Sequence, residues 1–204
     1  MLTVTNLTLE LPDRVLLDQI HFTAERGSVW HITGANGVGK TTLLRALTGL
    51  KPLAHGTIEW LGQNIQTQLS QFWQQLQVVG HLAAIKPRLT MRENCRFNFN
   101  TPVPDSQVDL ALEKLALTAL ADQFAGQCSA GQQRRIALAR LLLKPASLWL
   151  LDEPYTALDQ ESTAIVNDLI ETHAEEGGVV IFTSHRDPQF ERRQAHRLEL
   201  RAPC

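Results

Sequence analysis

Residues 29–41 read Val-Trp-His-Ile-Thr-Gly-Ala-Asn-Gly-Val-Gly-Lys-Thr, an apolar run followed directly by a glycine-rich loop. The part from Gly34 to Thr41 matches the phosphate-binding pattern G-x-x-x-x-G-K-[ST] at every fixed position. Glycine lets the chain curl tightly enough for backbone N–H groups to converge on phosphate oxygens. A helix that begins near Lys40 directs its positive end at the same anion. The stretch therefore predicts a strand, loop and helix that bind a nucleoside triphosphate.

The loop and the first helical turn are the predicted contacts of the phosphates. We expect Lys40 to reach the β- and γ-phosphates and the Thr41 hydroxyl to bind Mg²⁺. The alternative, a chance glycine turn, is disfavoured because the required flanking strand and helix are both present. The loop alone leaves the reaction open, since kinases, GTPases and motor proteins share it. The expected nucleotide contacts are Gly34, Ala35, Asn36, Gly37, Val38, Gly39, Lys40, Thr41 and Thr42.

Two carboxylates and a histidine follow the apolar strands later in the chain. Asp152 ends the run Leu148–Leu151 and is predicted to hold Mg²⁺, directly or through water, while Glu153 is placed to polarise the attacking water. His185 comes two residues after the next apolar strand and is expected to donate a hydrogen bond to the γ-phosphate. The alternative for the carboxylates is a simple cap and turn. The phosphate loop favours the catalytic interpretation.

Apolar runs and turn signals indicate an α/β core with a helical insertion. Two apolar runs before residue 23, separated by Pro12-Asp13-Arg14, predict an N-terminal antiparallel β region. Leu148–Leu151 and Val179–Thr183 are uninterrupted apolar runs, as expected for parallel strands buried on both faces. The pattern becomes helical over about 82–135. We therefore expect one domain, residues 1–204, with a helical subdomain inserted at about 82–135.

Local signals predict where several helices begin. Thr90 and Glu93 form a capping-box pattern, in which Thr90 is the N-cap and Glu93 reaches back to it. Asp105 or Ser106 is expected to cap the next helix. The Asp187-Pro188 pair offers an N-cap and a proline at the first helical position, and it predicts a helix after the last apolar strand.

Composition narrows the class of protein. The net charge of -2 over 204 residues gives no case for electrostatic capture of nucleic acid. No apolar run approaches the roughly 18–20 residues that a membrane span requires, and the N-terminus shows no signal peptide. The odd number and wide spacing of Cys95, Cys128 and Cys204 fit neither a disulfide framework nor a metal site. A reducing cytosol is the expected compartment.

The segment Cys128-Ser129-Ala130-Gly131-Gln132-Gln133-Arg134-Arg135, twenty residues before the paired carboxylates, resembles the L-S-G-G-Q signature of the ATP-binding-cassette (ABC) ATPases. The phosphate loop, Asp152-Glu153, Ala157-Leu158-Asp159 and Ser184-His185 recur in that family's order. The resemblance implies the phosphate-loop NTPase fold of the ABC ATPases and a head-to-tail homodimer with ATP between its subunits. Ser129, Gly131 and Gln132 would meet the γ-phosphate of the partner's nucleotide, and Asp159 would couple the two sites.

The chain departs from the family pattern at three places. Cys128 and Ala130 replace the usual leucine and first glycine of the signature, and we expect little loss because small residues are retained. His81 stands where the family has a glutamine after a strand, and it is a candidate sensor of the γ-phosphate or of metal-bound water. No aromatic residue occupies the early loop that stacks on adenine. Leu11 or the Arg14 guanidinium is the alternative.

Further likenesses, among them Gly80-His81 and the Ser129–Arg135 signature, make the chain similar to the ATPase subunit of bacterial haem exporters of cytochrome c maturation. That resemblance implies integral membrane subunits as partners and a peripheral place on the cytoplasmic face of the bacterial inner membrane. No haem site is assigned to this chain. We expect a groove around His81–Leu89 to dock a helix of the membrane subunit, with ordinary core packing as the alternative.

Three other functions stay open from the sequence. The chain is alternatively the ATPase of another small ABC exporter, or a soluble ABC ATPase with a mechanical role on nucleic acid. The second lacks support because the arginines between 186 and 201 are diluted by acidic residues, which favours a solvated face. The third is a degenerate cassette that does not hydrolyse ATP, against which the intact Lys40, Asp152, Glu153 and His185 argue.

Overall fold

The computed structural model describes residues 1–97 and 102–202. Cys204 lies outside the described residues. No described helix is long and apolar enough to cross a membrane. The strands are β1 Leu2–Leu11, β2 Arg14–Ala24, β3 Val29–Thr33, β4 His55–Trp60, β5 Gln63–Asn64, β6 Leu76–Val79, β7 Leu148–Asp152, β8 Val179–Thr183 and β9 His196–Glu199. The helices are α1 Lys40–Leu47, α2 Leu69–Gln74, α3 Met91–Arg96, α4 Asp105–Lys114, α5 Ala130–Ala139 and α6 Gln160–Glu175.

Two sheets form the core of the chain. The first has the order β2-β1-β4-β5 and is antiparallel throughout. The second has the order β6-β7-β8-β3-β9 and is parallel throughout. Helices lie in the connections that lead from β3 to β6, from β6 to β7 and from β7 to β8, as is usual for parallel pairing. This arrangement confirms the expected α/β class with its N-terminal antiparallel region.

The parallel sheet is covered on both faces, which explains its uninterrupted apolar strands. Side chains of β8 alternate between two hydrophobic clusters. Val180 and Phe182 join the cluster formed with α4, α5 and α6, while Val179 and Ile181 join the cluster formed with the antiparallel sheet and α1. Burial on both faces holds the strand ends in fixed positions, and the functional side chains leave from those ends.

The helix-start signals have mixed outcomes. The capping box at Thr90 and Glu93 is confirmed, with both reciprocal hydrogen bonds formed. The expected side-chain cap at Asp105 or Ser106 is wrong, because α4 begins at Asp105 itself and Pro104 is its N-cap. The proline fixes the backbone entry to the helix, so no side-chain oxygen is used.

The predicted helix after Asp187-Pro188 is also wrong. The chain has no helix between β8 and β9, and it returns to the parallel sheet as the edge strand β9 beside β3. The Asp187 carboxylate binds the Arg197 guanidinium of β9. The side chain that local sequence assigns to a helix cap thus pairs with a residue of the following strand.

The helices of residues 82–135 lie between β6 and β7 in the chain, where the inserted subdomain is expected. α3, α4 and α5 contribute Met91, Val108, Leu112 and Ile136 to one buried cluster. Residues 98–101 of this stretch lie outside the described residues. That the stretch forms a separate subdomain stays a prediction.

Candidate functional site

The candidate site lies at one edge of the parallel sheet, where the strands end. Because β3, β6, β7 and β8 run in the same direction, their carboxyl ends meet at that edge, which is where open α/β sheets bind ligands. β3 leads into the phosphate loop and β7 ends at Asp152. Asp152 pairs in register with Thr183, the last residue of β8. The fold thus brings motifs that are far apart in the sequence to one place.

The phosphate loop has the backbone that its glycines predict. Gly34 and Gly39 have φ values of 142° and 114°, and a Cβ on Gly34 would lie 2.7 Å from the Leu200 carbonyl oxygen. The largely buried Lys40 donates hydrogen bonds to the carbonyl oxygens of Gly34 at 2.8 Å and Ala35 at 3.2 Å. The ammonium group is thereby held inside the loop, at the helix N-terminus where phosphate oxygens are expected.

Asp152, at the end of β7, binds side chains from helix α1 and strand β8. The Thr41 hydroxyl donates to its Oδ2 at 2.9 Å, and the Thr183 hydroxyl donates to its Oδ1 at 2.7 Å. One carboxylate and one hydroxyl oxygen from different elements are the hard ligands that Mg²⁺ uses together with waters and phosphates. The donor set therefore fits Mg²⁺ bound with a nucleotide. No cluster of three or more His, Cys, Asp or Glu ligands occurs within residues 1–97 and 102–202.

Glu153 and His185 form a second pair at the same edge. The ring Nε2 of His185 lies 3.5 Å from Glu153 Oε1, and the main-chain N–H of His185 donates to Oε2 at 3.4 Å. Glu153 has a φ of 53°, a left-handed conformation that a non-glycine residue adopts at a cost and that often marks a functional site. The side chain is largely buried, and its Oε1 has no hydrogen-bond partner in the described part of the chain. That oxygen is buried and faces the His185 ring.

The signature segment forms the N-terminus of α5. Ser129 is the N-cap, its Oγ accepting from the Gln132 N–H at 3.2 Å, while Gln132 Oε1 accepts from the Ser129 N–H at 2.8 Å. Gly131 packs so closely that a Cβ there would lie 2.6 Å from the Ala157 carbonyl oxygen. The Asp159 carboxylate caps α6, and its hydrogen bond from Ser162 lowers the pKa of Asp159. All three predicted polar side chains thus take part in helix capping.

The signature residues and the phosphate loop are not joined within this chain. No described hydrogen bond links Ser129, Gly131, Gln132 or Asp159 to residues 34–42. The phosphate loop, Asp152, Glu153 and His185 make up one group, and the signature with Asp159 makes up another. That the second group binds nucleotide stays a prediction.

The three departures from the family pattern are placed as follows. His81 is exposed in the segment after β6, and its carbonyl oxygen accepts a hydrogen bond from Arg134 at 3.4 Å. Leu11 and Arg14 face each other in the strand pairing beside the β1–β2 turn. Leu11 is half-buried and Arg14 is exposed. Cys128 is buried, and burial raises the pKa of its thiol. The roles of His81, Leu11 and Arg14 stay predictions.

Sequence reasoning missed two residues of the site. Thr183 is fully buried and bonds both the Asp152 carboxylate and the Glu153 N–H, the latter at 3.0 Å. Its position as a polar residue ending an apolar strand beside Asp152 is the signal that would have found it. Arg134 donates to the carbonyl oxygens of Asp152 and Gly80. Its acceptors are main-chain groups, so no side-chain pattern points to them.

Comparisons with known proteins define the class. The family model for the ABC transporter matches residues 17–156. The chain therefore belongs to the ABC transporter family, as an ATP-binding subunit, which confirms the sequence resemblance. Among solved structures, a putative ABC transporter ATP-binding protein from Pyrococcus furiosus superposes with a TM-score of 0.84 at 25% identity, covering 98% of this chain and 96% of that chain. A bacterial Atm1-family ABC exporter with ATP bound gives 0.80 at 25% identity, over 91% of this chain and 34% of that chain.

The curated relatives are more specific. A protein of Vibrio vulnificus strain YJ016 named "Cytochrome c biogenesis ATP-binding export protein CcmA" is 42% identical over 92% of this chain and 93% of its own length. The protein of the same name from Vibrio cholerae is 40% identical over 100% of both chains. The similarity thus spans the whole cassette, including both groups of site residues.

Proposed function

We propose that the chain hydrolyses ATP to drive the export step of cytochrome c biogenesis, which the sequence resemblance identifies as haem export. The observation that carries this function is the full-length similarity to relatives named for that export. The site supports it, because the phosphate loop, the two carboxylates after β7 and His185 lie together at one edge of the parallel sheet. The transported species would be handled by other subunits, since no haem site is assigned to this chain.

The geometry suggests how the chain's own residues act on ATP. Lys40 would exchange the carbonyl oxygens of Gly34 and Ala35 for phosphate oxygens, which are stronger acceptors for an ammonium group. Thr41 and Asp152 would hold Mg²⁺, which when bound neutralises charge on the β- and γ-phosphates. Glu153 would orient the attacking water through its carboxylate, which the His185 ring contacts. Phosphoryl transfer depends mostly on such positioning and electrostatics.

His185 has two roles in this proposal. Both the ring and the main-chain N–H of His185 contact the Glu153 carboxylate and so hold it in place. Its ring is more than half exposed and is free to donate to the γ-phosphate. A variant His185→Ala is expected to lower kcat more than it raises KM for ATP. An unchanged kcat would contradict the assignment.

A second copy of the chain would complete the site. The N–H groups of Ala130 and Gly131 make no hydrogen bond within the described residues, so two donors at the N-terminus of α5 are available to an anion. A γ-phosphate held by the partner's phosphate loop would satisfy them. The homodimer is tested by light scattering of Glu153→Gln with ATP and Mg²⁺. A monomer under those conditions, with the membrane subunits supplied, would contradict it.

The membrane partner is expected to dock after β6. Leu82 is 83% exposed, whereas Ile85 packs partly against the core. A cysteine replacing Leu82 should therefore be captured by a cross-linker together with an integral membrane subunit. A cysteine replacing Leu50, which is 69% exposed, is the matched control and should not be. Equal capture at both positions would remove the docking proposal.

The same complex would place the chain peripherally on the cytoplasmic face of the bacterial inner membrane. The test is purification of the tagged chain from detergent-solubilised membranes and identification of the proteins that accompany it. Integral subunits of a cytochrome c biogenesis complex are expected. Subunits of an unrelated exporter would favour the alternative of another small ABC exporter.

The mechanical role on nucleic acid has little support. The arginines between 186 and 201 are engaged by protein acceptors: Arg192 pairs with Asp168 and Glu175, Arg197 with Asp187, and Arg201 with Glu199. Salt-dependent binding of DNA or RNA by the purified chain would revive that role.

A further inference from the structure

His31 is a buried histidine in the strand that leads to the phosphate loop. It lies in β3, three residues before Gly34, and it is 3% exposed. A polar ring that is nearly fully buried needs hydrogen-bond partners within the protein. The ring stacks on that of Phe182 in β8, with the ring centroids 4.6 Å apart and an angle of 10° between the planes. This packing directs the ring edge of His31 towards the loop that follows β8.

The ring of His31 bonds the main chain of that loop. Its Nε2 lies 3.1 Å from the Ser184 carbonyl oxygen, and a carbonyl oxygen can only accept, so Nε2 must carry the proton. Burial lowers the pKa of His31, while the Ser184 bond and the Asp187 charge oppose that change. The ring is therefore neutral at pH 7. Its Nδ1 lies 3.9 Å from Asp187 Oδ1, beyond hydrogen-bond distance, and that carboxylate pairs with Arg197.

The bonded carbonyl belongs to the peptide group that joins Ser184 to His185. The N–H of the same peptide group donates to Glu153 Oε2 at 3.4 Å. A trans peptide group is planar, and its oxygen and hydrogen point in opposite directions. One side of the peptide group is thus bonded to His31 and the other side to Glu153. Rotation of the peptide group would break both bonds, so His31 fixes the direction in which the His185 side chain leaves the main chain.

We propose that His31 is a positioning residue for ATP hydrolysis, which holds the His185 imidazole towards the γ-phosphate by donating from Nε2 to the Ser184 carbonyl oxygen. β3 carries His31 and ends at Thr33, directly before the phosphate loop. One strand and one hydrogen bond therefore set the distance between that loop and His185. The inference rests on the proposed function, since it takes the role of His185 in hydrolysis as given.

The test measures kcat and KM for ATP of the chain in complex with its membrane subunits. Ser184 is 4% exposed, so His31→Leu should leave its carbonyl oxygen without a donor and lower kcat about five- to fiftyfold. KM for ATP should stay within about twofold, because the contacts of the phosphate loop are unchanged. In His31→Gln the amide nitrogen can take the place of Nε2, and kcat should return to within about threefold of that of the unmodified chain.

A double-mutant cycle with His185→Ala shows whether His31 acts through His185. Independent losses multiply, whereas losses that share one path do not. In the His185→Ala background, the factor by which His31→Leu lowers kcat should be at least about threefold smaller than in the unmodified chain. The same factor in both backgrounds would mean a purely structural role and would overturn the inference. Equal losses of kcat in His31→Leu and His31→Gln would overturn it too, and this comparison decides where His185→Ala has no measurable turnover.

His173→Leu is the matched control. The His173 ring is also partly buried and stacks on an aromatic ring, that of Trp149, at 3.7 Å. It lies beside Gly178, at the opposite end of β8 from Ser184. Its kcat, measured well below the Tm, should stay within about twofold of that of the unmodified chain.

Other outcomes separate the inference from the proposed function. Failure of both His31 variants to fold would show a structural role and overturn the inference, while the proposed function would stand. An unchanged kcat in His185→Ala, or no turnover by the unmodified complex, would overturn the proposed function itself.

Discussion

Replacing Thr183 with valine removes one hydroxyl group from the centre of the site and leaves a side chain of similar shape. That hydroxyl donates to Asp152 Oδ1 at 2.7 Å and accepts from the Glu153 N–H at 3.0 Å. Thr183 is fully buried and Asp152 is 5% exposed. Water therefore has little access to replace the lost bonds. In the variant, Asp152 Oδ1 should be left without the hydrogen bond that it accepts from Thr183.

The size of the effect follows from the two bonds. The Glu153 N–H keeps a second acceptor, the Thr183 carbonyl oxygen at 3.2 Å, so the main loss is at the Asp152 carboxylate. A hydrogen bond to a charged group contributes about 1.5–3 kcal/mol. For a chain of this size that corresponds to a Tm lowered by roughly 3–12 °C. If the same energy orients Asp152 in the transition state, kcat should fall about 10- to 100-fold.

The assay is phosphate release as a function of Mg²⁺ concentration, measured well below the Tm of each variant. Thr183→Val should need more Mg²⁺ for half-maximal rate and reach a lower kcat, because the carboxylate that would hold the metal has lost one of its two hydroxyl partners. Thr183→Ser keeps the hydroxyl and is the control, with a smaller loss of both. An unchanged kcat and Mg²⁺ dependence in the valine variant would refute this account of Asp152.

Three further perturbations have defined outcomes. Lys40→Ala should weaken ATP binding more than about tenfold in calorimetry, since charge-assisted bonds to phosphate are lost; retained affinity would contradict the assigned loop. Glu153→Gln should bind ATP and stall as a nucleotide-filled dimer, and full turnover would mean that another group orients the water. Burial lowers the pKa of His173 to about 4, so the free energy of unfolding should fall as pH drops from about 6.5 towards 4. When urea unfolding is measured at pH 7 and 5, the free energy of unfolding of His173→Gln should change less than that of the unmodified chain. An equal change would mean that His173 does not cause this pH dependence.

The strands of the site were predictable because their signals are local. Val29–Thr33 and Val179–Thr183 have the predicted boundaries, since each apolar run is bounded by polar or glycine residues and needs only burial to form. The Thr90 capping box was predictable for the same reason, because both partners lie within one turn. The phosphate loop was also predictable, because it directly follows an apolar strand and has glycines at fixed positions.

The chain after β8 shows the limit of local reasoning. Asp187-Pro188 has the sequence of a helix start, but the Asp187 carboxylate binds Arg197 on β9. β9 adds to the edge of the parallel sheet beside β3, more than 160 residues away in sequence. A strand of four residues, three of them exposed, has almost no apolar pattern, so its position depends on the otherwise unpaired edge of β3.

Thr183 and Arg134 were missed for a different physical reason. Motif patterns detect side chains whose chemistry acts on the ligand, whereas these two act on the protein. Thr183 joins the Asp152 side chain to the Glu153 main chain, and Arg134 joins main-chain oxygens of two segments. Such links exist only after the parallel strands have been placed side by side, and their partners are far apart in the sequence.

Helix α5 contacts both groups of site residues: it begins with the signature segment, and its Arg134 bonds the main chain beside Glu153. Its first turn presents the unpaired N–H groups of Ala130 and Gly131, and one turn later Arg134 binds the carbonyl oxygen of Asp152. Residues four apart lie on the same face of a helix. A partner's γ-phosphate that draws on the N-terminus of α5 would therefore act on the same helix that holds the main chain around Glu153. In a head-to-tail pair, filling one nucleotide site would thus adjust the catalytic residues of the other.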